Sequence, residues 1–233
     1  MTTQRGFTLI EMAIVLVIIT ILIGGLAMPL AAQIKARRIA ETQKTMEEAR
    51  DAIVGYAMTH KTLVGNKPYL PCPDSNGDGI EDARTANKCP QQFGFLPWVT
   101  LGIGSQDAWG NRLLYTTNTD VSNDSAGIDP AVVVPSASWN QVCSSHTCAT
   151  VIAANLPVVL VSLGPNGWGA HNINGSMLAA PSGTDELENL DGDNIFVSRF
   201  PTKPGDPNGE FDDLVSWMPY YVLFPRVCPT GCP

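Results

Sequence analysis

Hydrophobic positions crowd the start of the chain. Residues 7–32 hold one charged side chain, Glu11, and from Met12 to Ala32 there are 21 consecutive uncharged residues. At about 1.5 Å per residue a helix of that length spans about 31 Å, the thickness of bilayer hydrocarbon, so the pattern predicts a membrane-crossing helix over 7–33. Glu11 at its leading end predicts a cationic partner, because an unpaired carboxylate in hydrocarbon costs about 3 kcal/mol or more. Beyond residue 33 the apolar positions thin to one stripe, Ile34, Ile39, Met46, Ala49, Ile53, Ala57 and Met58, close to a 3.6-residue period. This predicts an amphipathic continuation over 34–65, stopped by Gly65-Asn66 and Pro68, with its apolar face covered by the rest of the chain. Gly24, Gly25 and Pro29 predict a kink or a melted turn on the way.

From residue 66 to 233 the pattern changes to short apolar runs between stretches rich in Gly, Asn, Asp, Ser and Pro. Strands are predicted at Arg112–Thr116, Ala131–Val134, Val158–Ser162, Asn194–Arg199 and Tyr220–Phe224. No strand-helix-strand repetition supports a parallel sheet. The expected fold class is α+β: a long N-terminal helix, transmembrane in its first half, packed at its rear against an antiparallel β-sheet head with long disulfide-pinned loops.

Charge and cysteine usage follow the same division. Residues 7–60 balance five acids against five bases, whereas residues 61–233 carry 17 acids and 8 bases. A head at −9 repels phosphate backbones and argues against nucleic-acid binding. All six cysteines, Cys72, Cys89, Cys143, Cys148, Cys228 and Cys232, lie in the head, which points to disulfides and an oxidising compartment. Sequence does not choose among the pairings; the local set, each bond closing a short loop, is the simplest expectation.

Candidate chemistry centres on oxygen ligands. Asp74, Asn76, Asp78, the Ile80 carbonyl and Asp82, with Gly79 at the turn, follow the spacing of a calcium-wrapping loop, although Thr85 stands where such a loop places its bidentate Glu. A second acidic region, 186–193, precedes a predicted strand, and a third lies at 210–217. Cys143-Ser-Ser-His146-Thr-Cys148 lacks the spacing of a zinc site, and no Cys-x-x-Cys supports redox catalysis. His60, His146 and His171 are scattered outside any recognisable nucleophile context, so no enzyme activity and no catalytic residue is expected.

Arg5-Gly6 followed by Phe7-Thr8-Leu9-Ile10-Glu11 resembles the N-terminal signature of the type IV pilin-like proteins, which include pilins, minor pilins and the pseudopilins of type II secretion. The resemblance implies a leader at 1–6, cleavage by a prepilin peptidase after Gly6, and methylation of Phe7. It also implies pairing of Glu11 with the terminal amine of a neighbouring subunit. Its other implications are a single-pass place in the lipid bilayer of a bacterial inner membrane, an assembly platform there, other pilin or pseudopilin subunits as partners, and a periplasmic or extracellular head. The three bases at 35–38 oppose that orientation under the positive-inside tendency; dedicated translocation machinery, which the family has, resolves the conflict. Asp107-Ala-Trp109-Gly110-Asn111, Ser162-Leu-Gly-Pro-Asn166-Gly167 and Phe211-Asp212-Asp213-Leu-Val-Ser-Trp217 resemble the head of the major pseudopilin and related minor pilins. That likeness makes Asp212 and Asp213 calcium ligands, with backbone contributions from Leu163 and the Ser162–Gly167 turn; an insertion of more than 40 residues before Asp212 departs from the family pattern. The function so implied is a structural subunit, of the minor kind, of a type IV pilus or type II secretion pseudopilus. A displayed adhesive or ligand-binding module and an unassembled, membrane-anchored periplasmic enzyme are the alternatives.

Overall fold

The first helix starts at its cap. In the computed structural model, which describes residues 6–131, 133–136, 138–207, 209–229 and 231–232, and side chains outside 24–29, helix α1 runs Leu9–Thr59. Thr8 and Glu11 form a reciprocal capping box. The Thr8 amide and hydroxyl donate to Glu11 Oε2 at 2.8 and 2.7 Å, and the Glu11 amide donates to Thr8 Oγ1 at 3.3 Å. The backbone stays helical through residues 24–29, so the predicted melted turn does not form. Arg5 and the rest of 1–5 lie outside the described residues.

The membrane-crossing expectation is corrected. Among the described residues, no helix is long and apolar enough to cross a membrane. This overturns the transmembrane half of the expected fold, the single-pass inner-membrane placement with its contact to the lipid bilayer, and the function of a filament subunit assembled by packing of membrane-crossing helices.

The chain divides into two compact units, Met1–Ala40 and Glu41–Pro233. In the second unit α1 ends at Thr59, short of residue 65, because the chain reverses immediately afterwards. The Thr62 amide donates to the Lys67 carbonyl, the Lys67 amide donates to Thr62 Oγ1, and Gly65 and Asn66 take the left-handed backbone at the tip.

The remaining elements follow in chain order as β1 (Phe93–Phe95), α2 (Trp98–Leu101), β2 (Leu114–Thr117), α3 (Thr119–Ser122), β3 (Asn140–Cys143), β4 (Val151–Leu156), β5 (Val158–Ser162), α4 (Thr184–Glu188), β6 (Ile195–Val197), β7 (Leu214–Met218) and α5 (Tyr220–Val227). They build an antiparallel four-stranded sheet ordered β1-β2-β5-β7 and a three-stranded sheet ordered β4-β3-β6. In the second sheet β3 pairs with β6 in parallel, a departure from the all-antiparallel head.

Alternation along β5 explains the layering. Val158 and Leu160 join one core with Met46, Ala49, Ile53 and Ala57 of α1 and with Tyr220, Leu223 and Val227 of α5. Val159 and Val161, pointing the opposite way, join a second core with Val142, Leu156 and Phe196. A strand covered on both faces reads as an unbroken apolar run, as this one does.

Two predicted strands fail for local reasons. Tyr220–Phe224 is helical because Pro219 opens the turn and because Tyr220, Leu223 and Val227 share one buried face. Around 131–134 Asp129 builds a turn, its carboxylate accepting from the Ala131 amide and its carbonyl from the Val133 amide. The six cysteines pair locally as Cys72–Cys89, Cys143–Cys148 and Cys228–Cys232. Ile53, fully buried between helix and sheet, tests the packing of α1 on the head. Ile53→Ala is expected to lower unfolding stability by about 2–5 kcal/mol in urea denaturation.

Candidate functional site

Four chain segments meet where β5 ends. Ser162 closes the strand, and its hydroxyl donates to Asp107 Oδ2 at 2.7 Å. Asp107 Oδ1 accepts from the Trp109 and Asn111 amides, both at 2.9 Å, so one buried carboxylate shapes the whole Asp107–Asn111 turn and ties it to the strand. Next, Gly164 takes a left-handed backbone directly against Asp212, where any Cβ would collide with the Asp212 carbonyl and carboxylate. Glycine is required there by contact as well as by conformation.

Three carboxylates converge beside this turn. Ligand oxygens of Glu186, Asp212 and Asp213 lie within 4.8 Å of one another. Glu186 comes from α4 and the two aspartates from the segment entering β7. Glu186 Oε1 accepts from Asn166 Nδ2 at 2.9 Å and from the Asp212 amide at 3.0 Å; its other oxygen, Oε2, is buried without a hydrogen-bond partner. Asp213 Oδ2 accepts from Asn189 Nδ2 at 2.8 Å, and Asn189 is fixed in turn by the amide and carbonyl of Val197. Burial pushes the Asp213 carboxyl well above its ordinary range, and the neighbouring Glu186 and Asp212 charges add to the rise against the Asn189 hydrogen bond. Burial likewise raises Glu186, with Asn166 and the Asp212 amide opposing and Glu210 adding to it.

Such a cluster is costly as it stands. A buried acceptor oxygen without a donor, among two more carboxylates, is the arrangement that a hard cation satisfies, since oxygen donors of this kind are what calcium takes. The residues therefore fit a divalent cation held by Glu186, Asp212 and Asp213.

The other predicted ligands are arranged differently. Asp74 is fully buried, and its oxygens accept from the amides of Asn76, Gly77 and Gly79 at 3.1, 2.6 and 2.7 Å. Asn76 Oδ1 accepts from the Asp78 amide, Asp78 Oδ1 from the Ile80 amide, and Asp82 Oδ1 from the Ser75 amide. The loop's oxygens are directed at its own backbone, and the Cys72–Cys89 bond closes it. Glu188, Asp191 and Asp193 form a further, more exposed acidic group. Glu186 was visible in sequence only as one acid in the run 186–193; its place beside Asp212 depends on α4, which no periodic pattern announced.

At the other end of the chain, Gly6 and Phe7 are exposed ahead of the Thr8–Glu11 box. Residues 1–27 match the model of the prokaryotic N-terminal methylation motif. The chain carries a prepilin-type N-terminus. This is consistent with the pilin and pseudopilin superfamily in general, and it links the chain to a peptidase and assembly system of that kind. No curated protein and no solved structure matches the chain.

Asp107 supplies the pH test of the strand-end junction. Burial raises its carboxyl above the ordinary value of 3.8, against the Ser162 hydroxyl and the turn amides that favour the charge. In the window from that value up to the raised one the native state holds a proton that the unfolded chain has released. Stability contributed by this group is therefore full below the window and falls as pH rises through it. Urea denaturation across the window is expected to show a shallower pH dependence for Asp107→Asn than for the wild type.

Proposed function

We propose that the chain is a pilin-like protein of the minor-pilin or pseudopilin kind, cleaved after Gly6 by a prepilin peptidase and methylated on Phe7. The single observation that carries this reading is the match of residues 1–27 to the methylation motif, supported by the exposure of the Gly6–Phe7 junction. Its partners are the peptidase and other pilin or pseudopilin subunits, and its role is non-enzymatic. The reading draws on no membrane-crossing helix. Glu11, exposed beside its cap, is the acid that receives the terminal amine of a second processed chain. Intact-mass and N-terminal peptide analysis of protein from a host carrying the peptidase is expected to find methylated Phe7 at the terminus; a retained leader would refute the assignment.

The head, on this reading, is a shape held together by calcium at Glu186, Asp212 and Asp213. The supporting observation is the buried, unpartnered Glu186 Oε2 beside two further carboxylates. Binding to the native state alone raises stability by about 2.7 kcal/mol when free calcium is 100-fold above the dissociation constant. Thermal melts in calcium and in chelator should therefore separate for the wild type and coincide for Glu186→Gln with Asp213→Asn. Asp74→Ala with Asp78→Ala should leave the separation intact, and its loss there would move the site to the first loop.

A further inference from the structure

A second buried carboxylate, next to Glu186 in sequence, faces a different part of the head. Asp185 has a side chain only 5% exposed, and its oxygens hold two neighbours on the wall of a cleft of about 650 Å³. Asp185 Oδ1 accepts from the His146 amide and from His146 Nδ1, both at 2.9 Å, and Oδ2 accepts from Arg199 Nε at 2.7 Å. Arg199 also lies over the Phe211 ring and donates to Thr202 Oγ1 and the Gly209 carbonyl. Buried ion pairs of this sort are weak contributors to stability, so their use here is better sought in what they position.

What they position is one ring in one orientation. In its neutral form the His146 ring, with Nδ1 donating to Asp185, leaves the Nε2 lone pair as acceptor, on a side chain that is 42% exposed. Ser144, Ser145, Thr147 and Thr184 line the same cleft, with the Ser145 and Thr147 hydroxyls bonded to each other at 3.1 Å. The loop that carries the first three is closed by the Cys143–Cys148 bond at the end of the β3–β4 hairpin, so these groups are held rather than free to collapse.

The chemistry of the lining selects the ligand. Asp185 offsets the charge of Arg199, and Asp206 adds a negative charge to the lining, which disfavours anions. An apolar ligand would strand several hydroxyls without partners. Hydroxyls that both donate and accept, set beside a fixed imidazole acceptor, match a ligand built of hydroxyls, and the volume is that of an ordinary small-molecule site. We propose that this cleft binds a neutral saccharide, with His146 Nε2 accepting from a sugar hydroxyl and Ser145 and Thr147 completing its contacts. The inference stands apart from the cation and processing readings.

The test uses the full chain in a non-glycosidic detergent, titrated by saturation-transfer NMR with glucose, galactose, N-acetylglucosamine, lactose and diacetylchitobiose. At least one is expected to bind saturably, and His146→Ala or Ser145→Ala with Thr147→Val is expected to weaken it about tenfold or more, equivalent to about 1.4 kcal/mol. Unchanged thermal melts would show that these substitutions leave the fold in place. Absence of saturable binding across the panel, or affinities for folded variants within about twofold of wild type, would overturn the proposal.

Discussion

The constraint on which the head depends is the burial of β5 on both faces. Val158 to Ser162 has no solvent side, so every neighbouring element is placed to cover it. The rear of α1 and α5 close one face, and the smaller sheet closes the other. Five residues thus determine two cores, and the end of that strand becomes a fixed point in the molecule. Polar groups buried there must find partners within the fold.

Two different solutions are used at that fixed point. Asp107 is satisfied internally, by one hydroxyl and a set of turn amides, and the result is a rigid junction. Glu186 is satisfied only in part, because its Oε2 has no donor beside the Asp212 and Asp213 carboxylates. The Asp74 loop resembles the first case: its acidic spacing produces a chain of amide-accepting turns instead of a shared ligand shell. The difference lies in where the carboxylates come from. Side chains two residues apart in one loop easily reach each other's amides, whereas Glu186 and Asp212 are brought together from segments 26 residues apart.

Much of this could be read in the sequence, and the exceptions are instructive. The apolar run of β5 and the apolar stripe at Met46, Ala49, Ile53 and Ala57 are direct records of burial, and both locate their elements. β7 was hidden because Leu214–Met218 contains Ser216 and Trp217 and reads as mixed. β3 and β4 were hidden because Asn140–Cys143 and Val151–Leu156 are interrupted by Asn and Gln and read as mixed. Tyr220–Phe224 misled through its aromatic and β-branched composition, a weak preference that the helical spacing of its buried face overrode. The aspartate pair could be found from the likeness of its surroundings; Glu186, separated by an insertion-rich stretch, could be placed only once α4 was seen.

On the proposed reading, local and intermolecular demands meet on one side chain of the N-terminal helix. Glu11 caps α1 through Thr8, satisfying donors that a helix start leaves over. A carboxylate that accepts from an amide and a hydroxyl on one oxygen still has lone pairs on the other, and no cation of its own chain within the described residues is paired with it. Capping and capture of a second chain's amine are therefore compatible: the box fixes where the carboxylate stands, and the fixed, exposed carboxylate is what an incoming ammonium group can find. The cap forms from residues 8 and 11 alone, so the proposed cleavage before Phe7 would leave it intact and place the new charge two residues ahead of Leu9, where α1 begins.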